Sequence, residues 1–200
     1  MKVPKYAFGN LRRNTELICG QSGRILQEYR SLIDQEFADF DDFLNELENQ
    51  PPSLDRNVRM MLACKFLNHV YSALVLAERG LIVDAVLCER NALETAAFHW
   101  LVCLDPNALQ EYGQNDIPRP ADVRQRLEQL GVDITSLRDL YASASQASHV
   151  GRQSERFHSQ WESVSKGKLS FGGAFAPQDL AEMFRFLPAL LCWFRKPSMV

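Results

Sequence analysis

The chain has 200 residues, 46% of them hydrophobic, and a formal charge of −3 at pH 7; a chain of this length forms one domain that buries roughly 70% of its unfolded surface. The net negative charge supplies no overall positive field for holding a polyanion through many phosphate contacts, which argues against a dedicated, sequence-independent DNA binder. Cys19, Cys64, Cys88, Cys103 and Cys192 form no CxxC pair and lie at no zinc-finger spacing, so they read as small buried hydrophobes of a reducing cytosol.

The opening MKVPKYAFGN has no apolar core of signal-peptide length, and the longest apolar region, residues 81–104, is interrupted by Asp84, Glu89, Arg90, Glu94 and His99. The expectation is a cytoplasmic protein with no membrane span. Apolar positions recur at helical spacing and period-two alternation is almost absent. This pattern predicts an all-α fold: a single domain over residues 1–200, as a bundle of roughly four to six helices with a long antiparallel helical hairpin and a small loop or hairpin near 159–176.

Residues 11–48 carry Ile25, Ile33, Phe37, Phe40, Leu44 and Leu47 on one side, with Gly20 and Gly23 expected to break or bend the first part. QPPS then stops the helix, because proline lacks the amide donor and restricts the residue before it. Ser53 and Asp55 are candidate caps for a second helix over about 56–79. Gly80 ends it, and a third helix over about 81–104 starts so soon that the two must pack antiparallel.

DPNALQEYGQNDIPRP reads as a turn, at most one helical turn, followed by an irregular proline-held linker. Short helices are expected over roughly 120–130 and 135–149, with Gly131 and Gly151 as their stops. ESVSKGKLSFGGAFAPQ reads as a loop or small hairpin, in which Lys166 and Lys168 are candidate phosphate contacts. Pro177 fits the first turn of a last helix, striped by Leu180, Phe184, Leu187, Leu191 and Phe194 and again by Phe186, Leu190 and Trp193. Such a helix is central to the bundle or part of a subunit interface, and Pro188 is expected to kink it.

Two segments carry candidate chemistry. In CERNALETAAFHW, Arg90 and Glu94 stand four residues apart on one helix face among aliphatic neighbours. They must pair with each other or with a group from another helix, since an isolated buried charge is costly. Read structurally, they form a surface ion pair worth roughly 0.2–0.5 kcal/mol; read functionally, they line a polar pocket where arginine holds an anion. In YASASQASHVGRQS, Ser145 and His149 share a helix face behind Tyr141, and the helix dipole at this end favours an imidazolium. The structural reading of His149 is a capping or packing role, and no nucleophile-elbow motif surrounds either serine.

RQSERFH, Arg152 to His158, matches a loose Arg-x(4–6)-His spacing that chance alone supplies about once in such a chain. His69 and His99 could face each other across the helical hairpin. No His-x-x-x-His occurs, and a metal site would need more ligands than the four histidines and their neighbours assemble, so no metal is expected, and nothing calls for a cofactor.

The order of these pieces, VDAVLCERNALETAAFHWLVCLDP on the second arm of a helical hairpin and later YASASQASHVGR, resembles HEPN-like helical-bundle proteins. The likeness is to bacterial families of unknown function with an Arg-x-x-x-Glu helix followed by a Ser-x-x-x-His helix end. It covers roughly residues 56–195 as a core, with 1–50 as an N-terminal helical segment. The resemblance implies a homodimer and, from better-known relatives, metal-independent RNA cleavage by toxins or anti-phage effectors, with an antitoxin or other protein partner. Carried over residue by residue, it assigns His149, Arg90 and Glu94 to catalysis and Ser145, Arg152 and His158 to binding of RNA or a nucleotide. The chain departs from the ribonuclease pattern at Gln153, and Gly151 sets that motif outside a continuous helix. The alternative is a non-enzymatic module that docks a partner protein through the last helix, its polar residues serving only the fold.

Overall fold

The apolar stripe on residues 11–48 winds into one helix, α1 (Phe8–Glu48). It is followed by α2 (Leu54–Glu78), α3 (Ile82–Leu104), α4 (Pro106–Gly113), α5 (Pro120–Gln129), an antiparallel hairpin of β1 (Ser159–Ser163) and β2 (Lys166–Leu169), and α6 (Pro177–Arg195). The computed structural model describes residues 8–114, 116–135, 137–139, 141–142, 159–163, 166–169 and 177–195, with helical residues at 135, 137–139 and 141–142. The fold is an all-α bundle with one small β-hairpin.

The sequence signals at the helix ends have direct physical counterparts. Ser53 is extended at φ −152° and its side chain accepts a hydrogen bond from the Arg56 amide at 3.1 Å, which satisfies one of the free donors at the start of α2. Arg56 also reaches back, donating to the carbonyls of Leu47 at 3.1 Å and Glu48 at 2.8 Å. One side chain thus closes the end of α1, whose last carbonyls have no partner within the helix. Gly80 takes φ 72°, and Leu81 N–H bonds to the Leu76 carbonyl at 2.9 Å, the left-handed stop that glycine adopts without a Cβ penalty. Gly131 does the same for α5 at φ 80°, with Val132 N–H on the Leu127 carbonyl at 3.0 Å.

α2 and α3 share the most extensive packing in the described fold. Charges on early α2 act on late α3, as Arg59 does on His99 and Cys103, while His69 senses Glu94, so the two run antiparallel. α3 is the central helix: every residue from Thr95 to Val102 is buried. α1 and α6 pack along each other, joined by Arg195 to Glu36 and, at 3.2 Å, to Asp39.

The core where these helices meet is aromatic. Phe194 lies 4.4 Å from Phe66 and 5.3 Å from Phe40, ring centre to ring centre. The Trp100 indole N–H donates to the Phe194 carbonyl at 3.1 Å, so a ring that adds much buried area also has its polar atom satisfied. α2 is long and apolar enough to cross a membrane by length and composition, and its stripe of Val58, Leu62, Phe66, Val70, Ala73 and Ala77 is spent on this core.

Several expectations need correction. Gly20 and Gly23 do not break α1, which runs through both; the cost of roughly 1 kcal/mol for a mid-helix glycine is small beside the packing of a long apolar stripe. The segment after Asp105 is more than a turn: Asp105 accepts from the Asn107 amide at 2.9 Å, Pro106 sits in the first turn, and α4 continues to Gly113. The cysteines are free but not buried. Cys64, Cys103 and Cys192 are exposed and Cys19 and Cys88 half-buried, because each falls beside the apolar stripe of its helix. Of the two places expected for the last helix, α6 takes the central one, with Pro188 inside it: Leu180, Phe184, Leu187, Leu190, Leu191 and Phe194 are buried, with Phe186 and Trp193 packed against that core.

Candidate functional site

Arg90 and Glu94 project from the same face of α3, with the guanidinium Nε 3.3 Å from Glu94 Oε1. Their side chains are 23% and 26% exposed, so the pair lies at the edge of the core, where an ion pair of this order contributes only a few tenths of a kcal/mol by itself. A third group joins them. Tyr141, which opens the small-residue stretch, places its hydroxyl 2.8 Å from Arg90 Nη2, which donates to it.

The Tyr141 ring also receives two cations. The Arg90 guanidinium carbon lies 4.9 Å from its centre and that of Arg124, from α5, lies 4.2 Å away, both within reach of the ring quadrupole. Among the described residues Glu94 is the only carboxylate within ion-pair distance of either guanidinium. Among the described residues the corner between α3, α5 and the helical residues near 141 therefore holds two guanidiniums and one carboxylate.

Next to this corner opens a cleft of about 470 Å³, within the range of small-molecule sites, walled by α2, α3, α4, α5 and residues 117–118 and sharing Glu94 with it. Met61, Lys65 and His69 face it from α2, and Asn91, Glu94, Thr95 and Phe98 from α3. Burial lowers the pKa of His69, and the nearby Lys65 lowers it further, against an opposing pull from Glu94. Its imidazole is accordingly neutral at pH 7.

Two further polar groups of α3 lie in the core, away from this cleft. His99 is stacked on Phe194 with ring centres 4.1 Å apart, its Nε2 3.6 Å from Cys103 Sγ and its Nδ1 without a partner. Burial, with Arg59 adding to it, lowers its pKa to about 3, so it is a neutral packing residue. His69 and His99 therefore do not face each other: one lines the cleft and the other belongs to the aromatic core. Glu89 is buried with Oε1 unpartnered, and desolvation raises its pKa to about 8.

The structure thus brings Arg90 and Glu94 together, in the pairing expected from their spacing. Ser145, His149, Arg152 and His158 lie outside the described residues, as does the Gly151 stop. Lys166 and Lys168 are in β2, their backbones paired with Ser163 and Gln160. Sequence reasoning missed Arg124, which has no motif around it, and gave Tyr141 only a packing role, although its position at the head of the small-residue stretch was a usable signal. Among the described residues no group of three His, Cys, Asp or Glu side chains is placed to hold a metal ion. In comparisons with known proteins the chain matches no protein-family model, no curated protein and no solved structure.

Proposed function

We propose that this protein is a nucleotide- or RNA-directed helical bundle of HEPN-like type, in its sharpest form a metal-independent ribonuclease of a toxin or anti-phage defence system. The observation that carries the reading is the Arg90, Arg124 and Tyr141 corner, where among the described residues two guanidiniums meet one carboxylate. Fixed guanidiniums at the rim of a cleft are the groups that stabilise a phosphate whose charge grows during in-line attack. Glu94 and the Tyr141 hydroxyl hold Arg90 in one orientation, so its cost of ordering is met before a ligand arrives. His149 is the candidate general acid or base of such a step.

The competing reading, a non-enzymatic module docking a partner protein through the last helix, is less well supported. The apolar stripe of α6 that would form the docking face is buried inside the bundle. The test is to express the wild type, Arg90→Ala and His149→Ala in a bacterial host and compare growth arrest and total-RNA integrity. The expected outcome is RNA loss and arrest with the wild type only; equal growth and intact RNA in all three would refute the ribonuclease reading.

A further inference from the structure

The cleft beside the Arg90 corner has two chemically different ends. α2 and α3 run antiparallel, so Met61 is level with Phe98 and His69 with Asn91 and Glu94. At the first end the rings of Phe98 and Tyr112 lie 5.7 Å apart, with Met61 Sδ 3.5 Å from the Tyr112 hydroxyl. Ile117 and Pro118 close that end with further apolar surface. Phe98 and Met61 each touch Tyr112, and the three side chains form an apolar wall on which a flat body can lie: aromatic rings and a polarisable thioether give stacking and edge contacts without demanding a hydrogen bond.

The second end is polar and carries one cation with no ion-pair partner among the described residues. Lys65 forms no ion pair with a described carboxylate, whereas Glu94 is engaged by Arg90. Beside Lys65 stand the neutral imidazole of His69 and the carboxamide of Asn91. The Asn91 backbone carbonyl accepts from Thr95 Oγ1 at 2.7 Å, and among the described residues its side-chain amide has no hydrogen-bond partner, which leaves it available to a ligand. Beside the Glu94 carboxylate, which lines the same end and is paired with Arg90, one ammonium, one imidazole and one carboxamide match a single carboxylate. They do not match a phosphate dianion or a polyphosphate, which call for several cations or a row of backbone amides.

We propose that this cleft binds a small planar aromatic monocarboxylate, its ring lying against the wall of Met61, Phe98 and Tyr112 and its carboxylate on Lys65 and Asn91. The site is distinct from the Arg90 corner and does not depend on the RNA-directed reading. The shared Glu94 would let an occupied cleft bear on the Arg90 pair.

The experiment is isothermal titration of the purified full chain with 2-naphthoate, its uncharged analogue 2-naphthamide, and AMP. Lys65→Met keeps the side-chain stem and removes the charge at an exposed position, and Lys65→Arg restores it. The expected result is saturable binding of 2-naphthoate, about tenfold or more tighter than 2-naphthamide, as a charge-assisted contact provides. That preference disappears in Lys65→Met and returns in Lys65→Arg. Binding of 2-naphthamide as tight as 2-naphthoate, tighter binding of AMP, or no saturable binding by the wild type would overturn the proposal. RNA integrity in cells bears on the Arg90 corner alone, so failure of the one proposal is distinguishable from failure of the other.

Discussion

Replacing Glu89 by glutamine should make the protein more stable at neutral and alkaline pH. The Glu89 carboxyl is buried with one oxygen unpartnered, and desolvation raises its pKa from 4.5 to about 8. Between these values the folded state holds a proton that the unfolded state has released, so stability falls by about 1.4 kcal/mol for each pH unit of increase. At pH 7 the accumulated loss is about 3 kcal/mol. His99 works in the opposite sense, because its pKa drops from 6.5 to about 3. As pH falls from 6.5 to about 3 the unfolded state takes up a proton that the folded state refuses, and stability is lost toward acid. The two slopes offset each other between pH 4.5 and 6.5, where the protein should be at its most stable.

Glu89→Gln keeps the shape and removes the titration. For a chain of this size, about 3 kcal/mol corresponds to a rise in Tm of roughly 6–12 °C at pH 7. The assay is thermal unfolding followed by circular dichroism from pH 4 to 9. The variant should match the wild type near pH 4.5 and separate from it steadily up to about pH 8. A wild-type Tm that is flat from pH 6.5 to 8, or a variant that keeps the wild-type slope there, would refute the reasoning.

Two other substitutions probe how the bundle is fastened. Arg126 bonds Asp105 Oδ2 at 2.5 Å and Glu111 Oε2 at 2.6 Å, tying α5 to both ends of α4, and its side chain is 24% exposed. Arg126→Ala should cost about 1–2 kcal/mol at pH 7 in urea unfolding, part of the value of two charged hydrogen bonds being lost to solvent screening. Arg126 holds the Asp105 carboxyl below its ordinary 3.8, so this contribution is present above that pH and is lost as pH falls through the lowered value. The difference between the two proteins should shrink in acid. Gly80→Ala, at φ 72°, should lower the urea midpoint by the equivalent of about 1 kcal/mol with an unchanged m-value, since only the turn is strained.

What the sequence made legible follows the strength of the local signals. The helical hairpin, its Ser53 cap and its Gly80 stop rest on interactions within a few residues, and they appear where expected. The run of α1 through Gly20 and Gly23 was not legible, because packing against α6 supports it from far along the chain. Asp105 and Pro106 together are a helix-start signal, and reading them as a turn overlooked it. At the candidate site, the Arg90 and Glu94 pair follows from i, i+4 spacing alone. The approach of Tyr141 and Arg124 to Arg90 is a tertiary contact over which no local pattern has control. His69 and His99 show the same limit: on adjacent helices, one faces a cleft and the other an aromatic core, according to the partners that surround each.

The central claim is that the Arg90 corner acts on RNA together with His149. The most direct measurement is cleavage of a labelled single-stranded RNA by the purified chain in the presence of a metal chelator, comparing the wild type with Arg90→Ala and His149→Ala at matched folded fractions. The account expects chelator-resistant cleavage by the wild type and a loss of about a hundredfold or more in each variant, the scale of a general acid–base or charge-stabilising group. Equal rates in all three proteins, or no cleavage by a folded wild type, would contradict it.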